Sequence, residues 1–149
     1  MQISFASPGS IGPGALVLSV QDGGALSAQA ARYDEMTSGA LTRAIEVSRF
    51  KGQTSQSIEV LAPAGVKSSR IVLAGVGKGE KFDGNAAERL AATVAGRLLA
   101  SGEQTLTFAL DPPKRAKLSE AEMAAHLATG AYLRSYRADH YRKAGDEEK

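Results

Sequence analysis

The sequence predicts an α/β fold in which helices cover both faces of a mixed, largely parallel sheet. Short apolar runs typical of strands alternate along the chain with longer stretches of helical periodicity. One run, residues 71–74, contains no polar residue, as expected for a strand that is buried on both faces. The 149 residues, 43% of them hydrophobic and 23% charged, suffice for one domain with a packed core.

The first half of the chain predicts strands, then two helical pieces, then two more strands. Turn residues separate two runs rich in Ile, Val, Leu and Phe, and a later segment alternates apolar and polar residues. The expected strands of this half are residues 2–6, 15–20, 57–62 and 71–74. Residues 25–47 carry apolar side chains at helical spacing with a break near residues 37–39, so we expect two helices there.

The second half predicts a helix, a strand and a final helix. Asn85 and Glu88 resemble a capping box, and Gly102 supplies a stop. Residues 105–110 alternate as in a strand that the following prolines end. A second capping box at Ser119 to Glu122 opens a helix running towards Tyr141. The tail, residues 144–149, is polar and is expected to fray or to begin a linker.

Composition excludes several classes of protein. Without cysteine the chain can form neither disulfides nor thiolate metal sites, which fits a reducing cytosol. A net charge of +2 gives no strong overall field for nucleic acid or anionic membrane. The first basic residue is Arg32, and no apolar run approaches the ~20 residues that cross a bilayer. We therefore expect a soluble, cytoplasmic protein without membrane contact.

The glycine-rich segment 74–79 follows the predicted buried strand, where a phosphate-binding loop would lie. Its spacing departs from the P-loop because one residue separates Gly75 from Gly77 and Gly79 stands in place of the hydroxyl ligand. The dinucleotide fingerprint also fails, since its third glycine would fall at Glu80. The segment indicates a structural turn with positive φ, with an anion-binding nest as the alternative.

No catalytic, cofactor or metal site is expected in this chain. His126 and His140 have no metal-ligand partner at helical spacing and are interpreted as surface residues. Glu120 and Glu122 fit the first turn of a helix, whose dipole favours carboxylates. The serines lack a nucleophile elbow, and Asp34 and Glu35 are adjacent exposed charges rather than an opposed acid and base.

Residues 131–143 contain three of the four tyrosines together with four cations and one acid. Such interleaving could contact nucleic acid through phosphates and stacking. The alternative, which we favour, is a packing helix with polar tips: Tyr132 and Tyr136 share one helical face, while Leu133, Arg137 and Tyr141 share another. The tyrosine-rich faces would then pack within the domain and against a further domain.

The same stretch, from Gly130 through Arg137 with Asp139 and Tyr141, resembles the segment that closes the N-terminal domain of leucyl aminopeptidases, the cytosol aminopeptidase family. Residues 50–52 and 71–78 are similar to stretches of that family in the same order, whereas Ala138 replaces its usual phenylalanine. The resemblance spans nearly the whole chain. It implies a macro-domain-like three-layer α/β/α sandwich.

The resemblance also implies a division of labour between two domains. Residues 1–143 would form a noncatalytic N-terminal domain, and residues 144–149 would begin the linker to a C-terminal catalytic domain that this chain lacks. Two divalent metal ions, zinc or manganese, and all catalytic residues would lie in that second domain of a hexameric parent. The chain itself would be no enzyme. A nucleotide- or DNA-binding module, with weak DNA binding at best, is the alternative function.

Overall fold

The computed structural model describes the backbone of residues 2–5 and 13–147 and the side chains of Ile3 and residues 13–134. Within this part, a six-stranded sheet lies between two pairs of helices, which confirms the expected three-layer α/β/α sandwich. No helix of the described residues combines the length and apolar character needed to cross a membrane.

The strands are β1 (Gln2–Phe5), β2 (Gly14–Gln21), β3 (Ala25–Leu26), β4 (Ser57–Leu61), β5 (Ser68–Gly77) and β6 (Thr105–Phe108). The helices are α1 (Ala28–Met36), α2 (Ala40–Val47), α3 (Gly84–Ala100) and α4 (Glu120–Glu147), and a 3-10 turn at Gly79–Lys81 precedes α3. Across the sheet the order is β1-β6-β2-β5-β4, with β3 beside β2. The pairs β1–β6, β6–β2 and β2–β5 are parallel, whereas β4 pairs antiparallel with β5 and β3 pairs antiparallel with β2. The predicted mixed, largely parallel sheet is therefore confirmed.

Two apolar clusters, one on each face of the sheet, form the core. Successive residues of β5 alternate between them: Val72 and Ala74 belong to the cluster under α3 and α4, while Ile71 and Leu73 belong to the cluster under α1 and α2. This alternation follows from the period of two in a strand. The prediction of a doubly covered strand at residues 71–74 is confirmed, although β2 rather than β5 lies at the centre of the sheet.

The start of α1 differs from the prediction. Residues 25 and 26 form β3 instead of helix, and the Ser27 side chain caps α1 by accepting a hydrogen bond of 3.2 Å from the backbone N–H of Ala30. The predicted break is confirmed, because residues 37–39 separate α1 from α2 and Gly39 has a φ of +82°. Ala6 and the turn at residues 7–12 lie outside the described residues.

Helix α3 begins at Gly84, so the capping box predicted at Asn85 is wrong. Its N-cap is Asp83, whose carboxylate accepts a 2.8 Å hydrogen bond from the N–H of Ala86. The predicted stop is confirmed by Gly102, which has a φ of +85° just beyond the helix. Strand β6 ends at Phe108 rather than at residue 110.

Helix α4 starts with the predicted capping box. The Ser119 hydroxyl accepts from the N–H of Glu122 at 3.1 Å, and the Glu122 carboxylate accepts from the N–H of Ser119 at 3.2 Å. The helix continues to Glu147, past the end expected near Tyr141. Met123, Leu127 and Ala131, spaced four residues apart, bury one face of α4 in the core.

Candidate functional site

The glycine segment after β5 is a packing junction. The N–H of Gly75 donates to the Gln56 carbonyl and the N–H of Gly77 donates to the Gly52 carbonyl, each at 2.8 Å. A Cβ on Gly75 would lie 2.0 Å from the carbonyl oxygen of Gln53, and Gly77 has a φ of +68°. The prediction of a structural turn with positive φ is therefore confirmed. Because both glycine amides are occupied by the loop before β4, they are not available to an anion.

Carboxylates that could have suggested acid–base chemistry serve instead as helix caps. Asp34 accepts hydrogen bonds from the backbone N–H of Thr42 at 2.9 Å and from its hydroxyl at 2.5 Å, at the start of α2. Asp111 accepts from the N–H of Gln29 at 3.0 Å, in the first turn of α1. These contacts use the carboxylate to satisfy helix N-terminal amides.

His126 is not the plain surface residue that the sequence indicates. Its Nδ1 lies 2.8 Å from the Glu88 carboxylate, and its ring packs where a Cβ on Gly84 would come within 2.5 Å. The pair therefore lies between α3 and α4, with the imidazole 39% exposed. The described residues contain no group of three or more His, Asp or Glu side chains that could hold a metal ion. The side chain of His140 lies outside the described part.

Tyr132 and Leu133 are only partly buried in the domain, so the sequence interpretation that this face packs within the domain holds for them only in part. Each is 54% exposed, because the neighbouring Ala131 faces the core in their place. Whether they meet a further domain stays a prediction. The side chains of Tyr136, Arg137 and Tyr141 lie outside the described residues. Of the two predicted tyrosine-rich faces, the structure therefore describes only Tyr132 on one and Leu133 on the other.

A charge cluster that sequence reasoning missed joins β4, β5 and the end of α3. Arg70 donates to Glu103 at 2.7 Å and to Glu59 at 3.2 Å, and the Ser69 hydroxyl donates to Glu103 at 2.9 Å. Glu59 pairs with Val72 across the ladder, so Arg70 is its diagonal neighbour. The register of the hairpin was the signal that could have found this contact. All three charges are used in tying the strands to the helix.

Tyr33 lies on the face of the sheet opposite α3, among the residues packed against the cluster under α1 and α2. Burial raises the pKa of its phenol above the ordinary value, and the nearby Arg32 weakly opposes this rise. A phenol with a raised pKa stays protonated at neutral pH. We therefore interpret Tyr33 as a packing residue and not as a general base.

A pocket of about 240 Å³, which we call the α3 pocket, opens between residues 54–57 and the first half of α3. Ala74 and Gly75 of β5 form its floor. On this face Arg97 of α3 reaches the edge strand β4 by donating a hydrogen bond to the Ser57 hydroxyl. Ser57, Glu59 and Leu61 point to that face, since they pair with Ala74, Val72 and Arg70.

Comparison with known proteins identifies the family to which this chain is similar. Residues 17–145 match the family model described as the N-terminal domain of the cytosol aminopeptidase family. A probable cytosol aminopeptidase of Caulobacter vibrioides is 37% identical over 135 residues, which cover 91% of this chain and 26% of the relative. Another from Rhodopseudomonas palustris strain BisA53 is 39% identical over 103 residues, covering 69% of this chain and 20% of the relative.

The fold agrees with a solved structure. A mutant of tomato leucine aminopeptidase superposes with a TM-score of 0.70 at 20% identity, over 91% of this chain and 28% of that protein. The chain thus spans between 20% and 28% of the length of these three proteins. The family match extends from within β2 into α4 and so includes most of both core clusters. This chain therefore belongs to the cytosol aminopeptidase family and corresponds to its N-terminal domain.

Proposed function

We propose that the chain is a noncatalytic structural and interaction domain of a larger, cytoplasmic aminopeptidase that removes N-terminal amino acids from peptides. The observation that carries this proposal is the match of residues 17–145 to the N-terminal domain model, together with the matched part covering only 26% of the Caulobacter vibrioides relative. Catalysis would belong to a C-terminal domain with two divalent metals, zinc or manganese. The parent would assemble as a hexamer.

In this proposal helix α4 connects the domain to the catalytic domain. Among the described side chains of α4, Ala131 is the last buried one, and the exposed Tyr132 and Leu133 follow it. Exposed aromatic and aliphatic side chains side by side are suited to burial against another surface. In this proposal residues 1–143 form the domain, residues 144–149 begin the connection, and the apolar pair contacts the catalytic domain.

The purified chain is expected to release no product from leucine p-nitroanilide, with or without added zinc or manganese. The reason is chemical: a bridged metal pair needs several carboxylate or imidazole ligands, and the described residues hold no such cluster. Absorbance of released nitroaniline measures turnover, and an intact aminopeptidase assayed beside the chain controls for the reagents. Metal-dependent turnover that survives repurification would overturn the noncatalytic assignment.

DNA binding, the alternative function, is expected to be weak. A net charge of +2 and one basic segment neutralise few phosphates, so affinity should be low and its salt dependence shallow. Gel shifts at low and physiological salt measure this, with the double variant Arg134→Ala and Arg137→Ala as the comparison. Submicromolar, sequence-selective binding at physiological salt that the double variant loses would favour the alternative over the structural domain.

A further inference from the structure

We propose that the α3 pocket binds a small organic anion whose charged head is joined to an apolar group, for which benzoate is a simple representative. The inference rests on the size, lining and charge of this pocket. It does not depend on the activity of a longer enzyme, so the assay of peptide cleavage and the binding test below can fail independently.

The size of the pocket limits the ligand. Its volume of about 240 Å³ is smaller than the roughly 300–1,000 Å³ of sites for drug-sized molecules. One wall is apolar: Phe82, Leu90 and Val94 line it from the α3 side, above Ala74 on the floor. An aromatic ring or branched aliphatic group would bury its surface against this wall.

The opposite wall is polar. Residues 54–57 contribute hydroxyl and amide groups, and Thr93 adds a hydroxyl from α3. Ser55 has a φ of +71°, which is uncommon for a residue with a Cβ. One apolar and one polar wall select a ligand with one end of each kind, because a purely polar molecule would leave the apolar wall uncovered.

The charge around the pocket selects an anion. Arg89 lines it and makes no ion pair with any described residue, since Glu88 beside it is paired with His126. A shallower depression shares Ala92 and Thr93 with the pocket and adds Arg97 and Arg134. No carboxylate occurs among the described residues that line either depression. Arg97 already donates a hydrogen bond to the Ser57 hydroxyl. No paired carboxylate neutralises Arg97, Arg89 or Arg134 among the described residues, so the local charge favours an anionic head near Thr93.

The test is an NMR titration of the ¹⁵N-labelled chain with benzoate, benzamide and inorganic phosphate at low ionic strength, where exposed charges are least screened. Benzamide keeps the ring and shape of benzoate without its charge, and phosphate keeps a charge without a ring. We expect saturable shifts at the amides of Gly75, Ser57 and Thr93 with benzoate, and at least about tenfold weaker binding of the other two probes.

Two variants locate the site. Arg89→Gln is expected to weaken benzoate binding about tenfold, because it removes the positive charge and leaves a shorter, neutral polar side chain. Its matched control is Arg49→Gln, an exposed arginine that does not line the pocket. Thr93→Tyr places a ring across the mouth at an exposed helical position and is expected to abolish the shifts at Gly75 while unfolding stays unchanged.

The following results would overturn the proposal. Shifts at these amides could be absent up to millimolar benzoate, or benzamide could bind as well as benzoate. Binding of phosphate as tight as that of benzoate would show that the apolar wall contributes nothing. Equal loss of affinity in Arg49→Gln and Arg89→Gln would show that benzoate responds to the overall charge of the protein and not to Arg89 at the pocket.

Discussion

Replacing Gly75 with alanine is expected to lower the free energy of unfolding by about 3 kcal/mol or more, from overpacking and a weakened hydrogen bond. The new Cβ would lie 2.0 Å from the carbonyl oxygen of Gln53 and 2.8 Å from the carbonyl carbon of Gly52. Both contacts are with backbone, which cannot swing aside as a side chain tip can. The loop would have to retreat, which would strain the hydrogen bond from Gly75 to Gln56.

The measurement is thermal or urea unfolding of the wild type and the variant. A loss of this size would lower the Tm of a chain of this length by roughly 10 °C. Gly23→Ala is the control, because Gly23 has a φ of +88° and no atom within 4 Å of a new Cβ. It should cost about 1 kcal/mol through the left-handed backbone alone. Equal losses in the two variants would show that the junction between β5 and the loop is loose.

This junction shows what sequence reasoning reaches and where it stops. The position of the glycine segment after an apolar run predicts a turn, because glycine permits a positive φ, and Gly77 adopts one. Gly75 is different, since its φ is not positive and its small size matters because of the loop at Gly52 and Gln53. That contact joins segments distant in sequence, so no local pattern contains it.

The N-cap of α3 is a second feature that a local sequence pattern did not predict correctly. Asn85 and Glu88 have the spacing of a capping box, which made Asn85 the predicted cap. In the structure Glu88 pairs with His126 on α4, and Asp83 caps the helix in place of Asn85. At Ser119 the same pattern was right, because Glu122 is exposed and has no competing partner among the described residues. Two similar local patterns therefore have different outcomes, because α3 has a second capping residue in Asp83 and a tertiary partner for Glu88.

The α3 pocket could not have been predicted because it depends on where α3 lies over the sheet. The sequence predicted the helix and the strand at residues 57–62, but not that a pocket would open between them. Helical periodicity identifies the apolar face of α3, and it says nothing of how far the helix lies from each strand. Arg89, the residue on which the ligand proposal depends, looks in the sequence like any solvated charge.

Gly130→Ala is expected to destabilise the domain by about 1 to 2 kcal/mol, although alanine is the better helix former. A Cβ on Gly130 would lie 2.1 Å from the backbone carbonyl oxygen of Glu88, where α4 crosses α3. The helices would have to separate, which would loosen the burial of Leu127 and Ala131. Under the proposed function a catalytic domain follows α4, and this contact would then also fix the orientation of α4 on the core.

The matched control is Gly96→Ala, which makes the same change in α3. There the nearest atoms to a new Cβ belong to the Arg134 guanidinium, 2.7 Å away at the end of a flexible side chain. Arg134 can move at little cost, so Gly96→Ala should gain roughly 0.5 to 1 kcal/mol from helix propensity. Urea unfolding of both variants measures the difference, expected to be about 1.5 to 3 kcal/mol from these two terms. Equal stabilisation by both would mean that α4 can shift on α3 without cost, and the close crossing at Gly130 would then not fix its direction.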